Sequence, residues 1–146
     1  MPLSDFLQES NQHRIVKAIG DAENRTSGEI RVHIEPRCKC DDPMERAVKV
    51  FDKLRMYETR HRNGVLVYLA YTSRKFAIIG DCGINDLVPD DFWNEERSIL
   101  KEYLSKGRAA DGICETIRQI GESLSKYFPC QPDDENEQSD EISYSD

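Results

Sequence analysis

Seven uncharged residues in succession, Val65-Leu66-Val67-Tyr68-Leu69-Ala70-Tyr71, constrain this chain more than any other stretch. The run is rich in β-branched and aromatic residues and is apolar at odd and even positions alike. A strand of that kind must be buried on both faces, which places it in the middle of a sheet. A polar connection, Thr72-Ser73-Arg74, separates it from a second apolar run, Phe76 to Ile79, which reads as its antiparallel hairpin partner.

Around this hairpin the periodicity changes. From Ser4 or Asp5 to about Asn24, Leu7, Ile15, Ala18, Ile19 and Ala22 fall on one helical face, with Ser4 as its cap. Ile30, Val32 and Ile34 then alternate with Arg31, His33 and Glu35 up to Pro36, the pattern of a strand with one polar, solvent-facing side, and His33 is expected on that side. Pro43 suits a first helical position, and Met44, Ala47, Val48, Phe51 and Leu54 carry a second helix to about Tyr57. Asp90 or Asp91 can cap a third helix that Gly107 stops. Ile113, Ile117, Ile120 and Leu124 mark a fourth, ended by Pro129. Helix, strand, helix, strand, strand, helix, helix is the order of an α/β or α+β sandwich in which about four helices flank a small mixed sheet, built from a parallel βαβ unit plus one antiparallel hairpin strand.

Length decides the domain count: 146 residues suit one domain with a real core. The formal charge of -8 is not spread evenly. Residues 129–146 hold seven acids and no Lys or Arg, whereas the first 128 residues carry 20 basic and 21 acidic groups. Residues 1–129 are therefore read as the folded domain and 130–146 as an acidic disordered tail, too poor in apolar surface to offset its ordering entropy. A nearly neutral body offers no electrostatic footprint for nucleic acid. No run approaches the length of a membrane span, so no direct membrane insertion is expected. The N-terminus lacks the basic start and apolar core of a signal peptide, and five scattered cysteines form no disulfide framework; the expected compartment is cytoplasmic. Cys38 and Cys40 lack a second ligand pair at zinc spacing and are read as loop thiols.

If the first two strands are parallel and the third antiparallel to the second, three polar clusters arrive at one end of the sheet: Thr26-Ser27-Gly28-Glu29, Arg60-His61-Arg62-Asn63-Gly64, and Gly80 to Asp86. The opposite end, at the carboxyl ends of the parallel strands, is where open α/β sheets usually bind ligands, but it is poorer in matched acids and bases. The candidate ligand-binding residues are therefore Ser27, Glu29, Arg62, Asn63, Asp81 and Asp86. Asp81, Glu29 and Asp86 are the hard oxygen donors a calcium or magnesium ion would need. Asp81, His61 and Arg62 are the candidates for catalysis. Each also has a plain structural reading: Gly64, Gly80 and Gly83 as turn glycines with positive φ, Asp81 and Asn85 as caps, Arg62 and Glu29 as an ion pair. The four aspartates between Asp81 and Asp91 lack EF-hand spacing. No nucleophile elbow and no phosphate-binding loop occurs.

The strings RTSGEIRVHIEP, FDKLRMYETRHRNGVLVYLAYTSRKFAIIGDCGIND, FWNEERSILKEYLSKGRAADGICETI and KYFP together resemble the TPM domain over roughly residues 6–129. That family includes a thylakoid-lumen protein of photosystem repair and a modulator of levamisole receptors. The resemblance implies an α/β/α sandwich. It also implies one of three roles: an acid phosphatase, a calcium-binding domain, or a non-catalytic accessory module with a membrane-complex or other protein partner. Thr26 to Glu29, Arg62 to Gly64 and Asp81 to Ile84 carry the family pattern. Two functions remain open: an accessory module binding a divalent cation through Asp81, Glu29 and Asp86 or an anionic partner segment anchored by Arg62, and a metal-assisted phosphomonoesterase with Asp81 holding the cation, Arg62 neutralising charge and His61 or Glu29 moving a proton.

Overall fold

The computed structural model describes residues 9–130 and 142–144. Ser4, Asp5 and Leu7, expected to open the first helix, lie outside the described residues. Helix α1 spans Glu9–Glu23, strand β1 Glu29–Glu35, helix α2 Pro43–Lys53, and strands β2 and β3 Gly64–Ala70 and Lys75–Gly80. A one-turn helix α3, Cys82–Asn85, precedes α4, Asn94–Ser105, and α5, Ala109–Ser125. Strand β4 is Ser143–Tyr144.

The sheet runs β3-β2-β1-β4, with β1 parallel to β2 and β4 and β3 antiparallel to β2. Every residue of β2 is buried, as its two apolar faces demand. Leu66, Tyr68, Ala77 and Ile79 pack under α2 through Ala47, Val50 and Phe51. Ile30, Val32, Val67 and Ile78 face the larger core formed with α1, α4 and α5. This is an α/β/α sandwich with helices on both faces of a mixed sheet.

Helix ends follow local chemistry, with two departures from expectation. Asp42 caps α2 by accepting from the Met44 amide at 2.9 Å, ahead of Pro43. The helix ends at Lys53, short of Tyr57, because Arg55 turns left-handed (φ 56°). Arg55 N–H then donates to the Asp52 carbonyl and Met56 N–H to that of Phe51, a Schellman stop usually given to glycine. Gly107 (φ 70°) ends α4 with the same pair of bonds, Gly107 to Leu104 and Arg108 to Tyr103. At the other end of α4, neither Asp90 nor Asp91 is the cap: the helix starts at Asn94 and Trp93 holds the cap position without a side-chain bond.

The polar side of β1 is not a solvent face. His33 is 3% exposed and Glu35 fully buried. Glu35 receives Arg46 of α2 through Nε at 2.9 Å and Nη2 at 2.8 Å, and also accepts from the Tyr68 hydroxyl. Burial opposes ionisation of Glu35, but the Arg46 and Tyr68 hydrogen bonds outweigh it and hold the carboxyl below its usual range. His33 stacks on Tyr68 at 6.2 Å. Burial pushes its pKa down to about 4 against the pull of Glu35, so the ring is neutral at pH 7. Its Nδ1 lies 2.9 Å from the Ser143 hydroxyl of β4. Of the segment expected as an acidic tail, residues 142–144 lie against β1, with Ser143 and Tyr144 paired at His33 and Ile34, while 131–141 and 145–146 lie outside the described residues.

Glycine use departs from expectation as well. Gly64, Gly80 and Gly83 have no positive φ. At Gly83 the reason is proximity: its N–H donates to the Arg62 carbonyl at 2.9 Å, and an added Cβ would lie 2.5 Å from that oxygen and closer still to the His61 carbonyl. Both obstructing atoms are backbone. Gly83→Ala is expected to lower stability by at least about 2 kcal/mol, because the loop entering β2 and the start of α3 must separate; urea unfolding measures it.

The His33 pocket sets a pH dependence. Between pH 6.5, where an unfolded histidine titrates, and about 4, where His33 titrates when folded, the unfolded chain binds a proton that the folded chain does not. Stability therefore rises with pH across that window, by up to about 3 kcal/mol. Denaturation midpoints measured from pH 4 to 7 are expected to show this slope in the parent protein and a flatter one in His33→Gln.

Candidate functional site

Sheet register brings the three polar clusters together. Glu29 is opposite Gly64 and Val65 opposite Gly80. The Glu29 amide donates to the Asn63 carbonyl at 3.3 Å, and the Asp81 amide donates to that of Gly64 at 2.9 Å. The clusters do not all face the same space, however.

A groove of about 660 Å³ opens beside β3. Arg62, Asp81 and Asp86 line it, together with Asp52 and Val48 of α2, Tyr57, Asp90, Trp93 and Arg97. At one end Arg62 grips Asp81 with both arms of its guanidinium, Nε to Oδ2 at 2.7 Å and Nη2 to Oδ1 at 3.0 Å. Oδ1 also caps α3 by accepting from the Cys82 amide at 2.7 Å. Asn85 Nδ2 closes the same turn on the Gly80 carbonyl at 2.9 Å. The capping reading of Asp81 thus holds. Arg62, expected to pair with Glu29, pairs with Asp81; the Asp81 side chain is 6% exposed and that of Arg62 48%.

Ser27, Glu29 and Asn63 lie behind this wall and do not line the groove. Glu29 is 3% exposed and Asn63 fully buried. Asn63 Nδ2 approaches the Ser27 hydroxyl at 3.5 Å, while its amide donates to the Thr59 hydroxyl at 3.3 Å. Thr26 staples the start of β1 to the chain after α5: its hydroxyl donates to the Phe128 carbonyl at 2.5 Å and accepts from the Gly28 amide at 3.1 Å. These residues join loops. His61 is exposed outside the groove, and its backbone carbonyl is what Gly83 packs against.

The donor set does not suit a resident calcium or magnesium ion. Both Asp81 oxygens already accept charged or amide donors, and a cation there would meet the Arg62 guanidinium. Among the described residues no three His, Cys, Asp or Glu side chains are grouped to hold a metal ion. The five cysteines are free.

Several lining residues carried no signal in the sequence. Asp52 lies on the polar side of α2, where a solvated charge is the ordinary reading; only the packing of α2 over β3 brings it to the groove. Trp93 is legible as a buried aromatic, but its indole N–H, buried without a hydrogen-bond partner among the described residues, is not. Among those residues no helix is long and apolar enough to cross a membrane.

Comparison with known proteins agrees with this architecture. No functionally curated protein matches the chain. The NMR structure of the BA42 protein from the psychrophilic bacterium Bizionia argentinensis is 42% identical, with a TM-score of 0.91 over 99% of each chain. The N-terminal domain of the cg2496 protein from Corynebacterium glutamicum, 15% identical, has a TM-score of 0.63 over 95% of this chain and 80% of that one, a likeness of fold. The TPM domain model matches residues 3–123. With the three loop motifs joined at one end of its sheet, the chain belongs to the TPM domain family.

Proposed function

We propose that the protein is a binding module whose groove takes an extended, basic and apolar segment of a protein partner, and that it works as an accessory domain. The observation that carries this reading is the outer edge of β3. No strand among the described residues pairs with it, and its residues Ile78, Ile79 and Gly80 border the groove. An unpaired edge offers main-chain donors and acceptors to an added strand. The surroundings set the partner's chemistry. With Arg62 and Asp81 neutralising each other, Asp52, Asp86 and Asp90 outnumber Arg97. Met44, Val48 and Tyr57 are exposed on the same rim.

The phosphomonoesterase reading asks Asp81 to hold a cation and Arg62 to meet a phosphoryl group, although each is engaged by the other. Neither is poised as a base or a nucleophile. The arrangement supports a clasp: the fork ties the entry of β2 to the exit of β3.

An alternating lysine–valine octapeptide tests the binding reading, with the glutamate–valine peptide as control. Amide shifts are expected along residues 75–80 and near Asp52 and Asp86, with affinity about tenfold weaker in the Asp52→Asn, Asp86→Asn, Asp90→Asn variant and weaker again at high salt. Equal binding of the glutamate peptide, or shifts remote from β3, would refute the assignment. Hydrolysis of 4-nitrophenyl phosphate that requires magnesium and is lost in Asp81→Asn would replace it with the enzyme.

The clasp has its own test. Arg62 sits at φ 49°, a conformation asparagine tolerates. Arg62→Asn is therefore expected to lower stability through loss of the pair with Asp81, with peptide binding retained. Chemical denaturation and the same titration measure the two effects.

A further inference from the structure

The molecule holds a second built cavity, at the other end of the sheet. It has a volume of about 450 Å³ and lies between the β2–β3 hairpin and the end of α4, lined by Leu69, Phe76, Leu104, Arg74 and Lys101, with Ser105 and Gly107. Its apolar surface comes from Leu69, fully buried, and from Phe76 and Leu104, both packed against the main core. Its charged groups are two exposed cations. The size falls within the range of small-molecule sites, which are mostly apolar with a few converging polar groups. It adjoins the carboxyl end of β2, at the edge where parallel strands usually present ligands.

Arg74 singles this cavity out. Among the described residues three non-glycine positions have a positive φ, and all are arginines: Arg55, Arg62 and Arg74. Such a backbone costs an ordinary L-residue about 1 kcal/mol or more, and glycine or asparagine would avoid it. In two cases the guanidinium has an evident use, since Arg55 pairs with Glu58 and Arg62 with Asp81. Arg74 (φ 56°) closes the hairpin turn where glycine is the usual choice, and its side chain has no ion-pair or hydrogen-bond partner among the described residues. Lys101, on the far wall, has none among them either. Two cations at the mouth of an apolar cavity, with no counter-ion among the described residues, suit a ligand with the opposite charge and an apolar body.

We infer that this cavity binds a small amphipathic anion: an apolar tail against Leu69, Phe76 and Leu104, and a single carboxylate or phosphate head between Arg74 and Lys101. The site is separate from the β3 groove, and neither depends on the other.

Octanoate titrated into the full chain, followed by amide shifts, tests the inference, with octanamide and acetate as controls for head and tail. Shifts are expected at Leu69, Phe76 and Leu104 with octanoate alone. Affinity is expected to fall about tenfold in the double variant Arg74→Asn, Lys101→Gln, in which asparagine retains the left-handed turn. Octyl phosphate in place of octanoate distinguishes the two head groups, and binding of either supports the site. Octanamide binding as well as octanoate would overturn the proposal, as would acetate matching octanoate. So would undiminished binding to the double variant, or the absence of shifts up to ~10 mM of either amphiphile, beyond millimolar affinity. Because the exposed Arg74 and Lys101 side chains make no hydrogen bond or ion pair among the described residues, the variants are expected to keep the parent spectrum elsewhere.

Discussion

Strand β2 has no exposed residue, so it must be covered on both faces and hydrogen-bonded on both edges. β1 and β3 supply the edges, α2 covers one face, and α1, α4 and α5 cover the other. Because β1 is parallel to β2 and β3 antiparallel, the entries of β1 and β2 meet the exit of β3 at one end. β4 covers part of the β1 edge, while the outer edge of β3, unpaired among the described residues, is left beside the groove. The requirement to bury β2 therefore also places the surface that a partner strand could join.

Two bidentate guanidinium–carboxylate pairs lock this arrangement, one at each end of the sheet. Arg46 ties α2 to β1 through Glu35, and Arg62 ties the entry of β2 to the exit of β3 through Asp81. In both, the carboxylate is buried and would be costly to leave uncompensated. Exposure differs: the Arg46 side chain is 11% exposed and the Arg62 side chain 48%, so the first pair belongs to the interior and the second borders the groove. The same bond type therefore serves packing at one end and borders the groove at the other.

Much of the fold is legible in the order of the residues. The double-faced apolarity of Val65 to Tyr71 announces a central strand, and the tight Thr72–Arg74 connection requires an antiparallel partner. The long link between β1 and β2 permits parallel pairing, and the meeting of the TSGE, RNG and GDCGI segments follows. What each residue does there is less legible. Asp81 among four nearby aspartates resembles a cation ligand in sequence; in space it is a cap and half of an ion pair. Gly83 resembles a turn glycine, yet it is needed because two carbonyls from a loop some twenty residues earlier leave no room for a Cβ. His33, on the polar side of an alternating strand, looks solvated until α2 and the C-terminal segment close over it.

Residue order was enough to set the sandwich, the strand directions, the central place of β2 and the end of the sheet to which the polar motifs come. These depend on periodicity and connection length, which act locally along the chain. Packing in three dimensions was needed to turn Asp81 toward Arg62 and to bury Glu29 and Asn63, with Ser27 beside them, away from the groove. It also brings Asp52 to the groove from another element, and gathers Arg74 and Lys101 at one cavity without counter-ions among the described residues. Those outcomes depend on which side chains from distant segments arrive within hydrogen-bonding distance. Pair energies of that kind depend on separation and burial, and neither is written in the order of the residues.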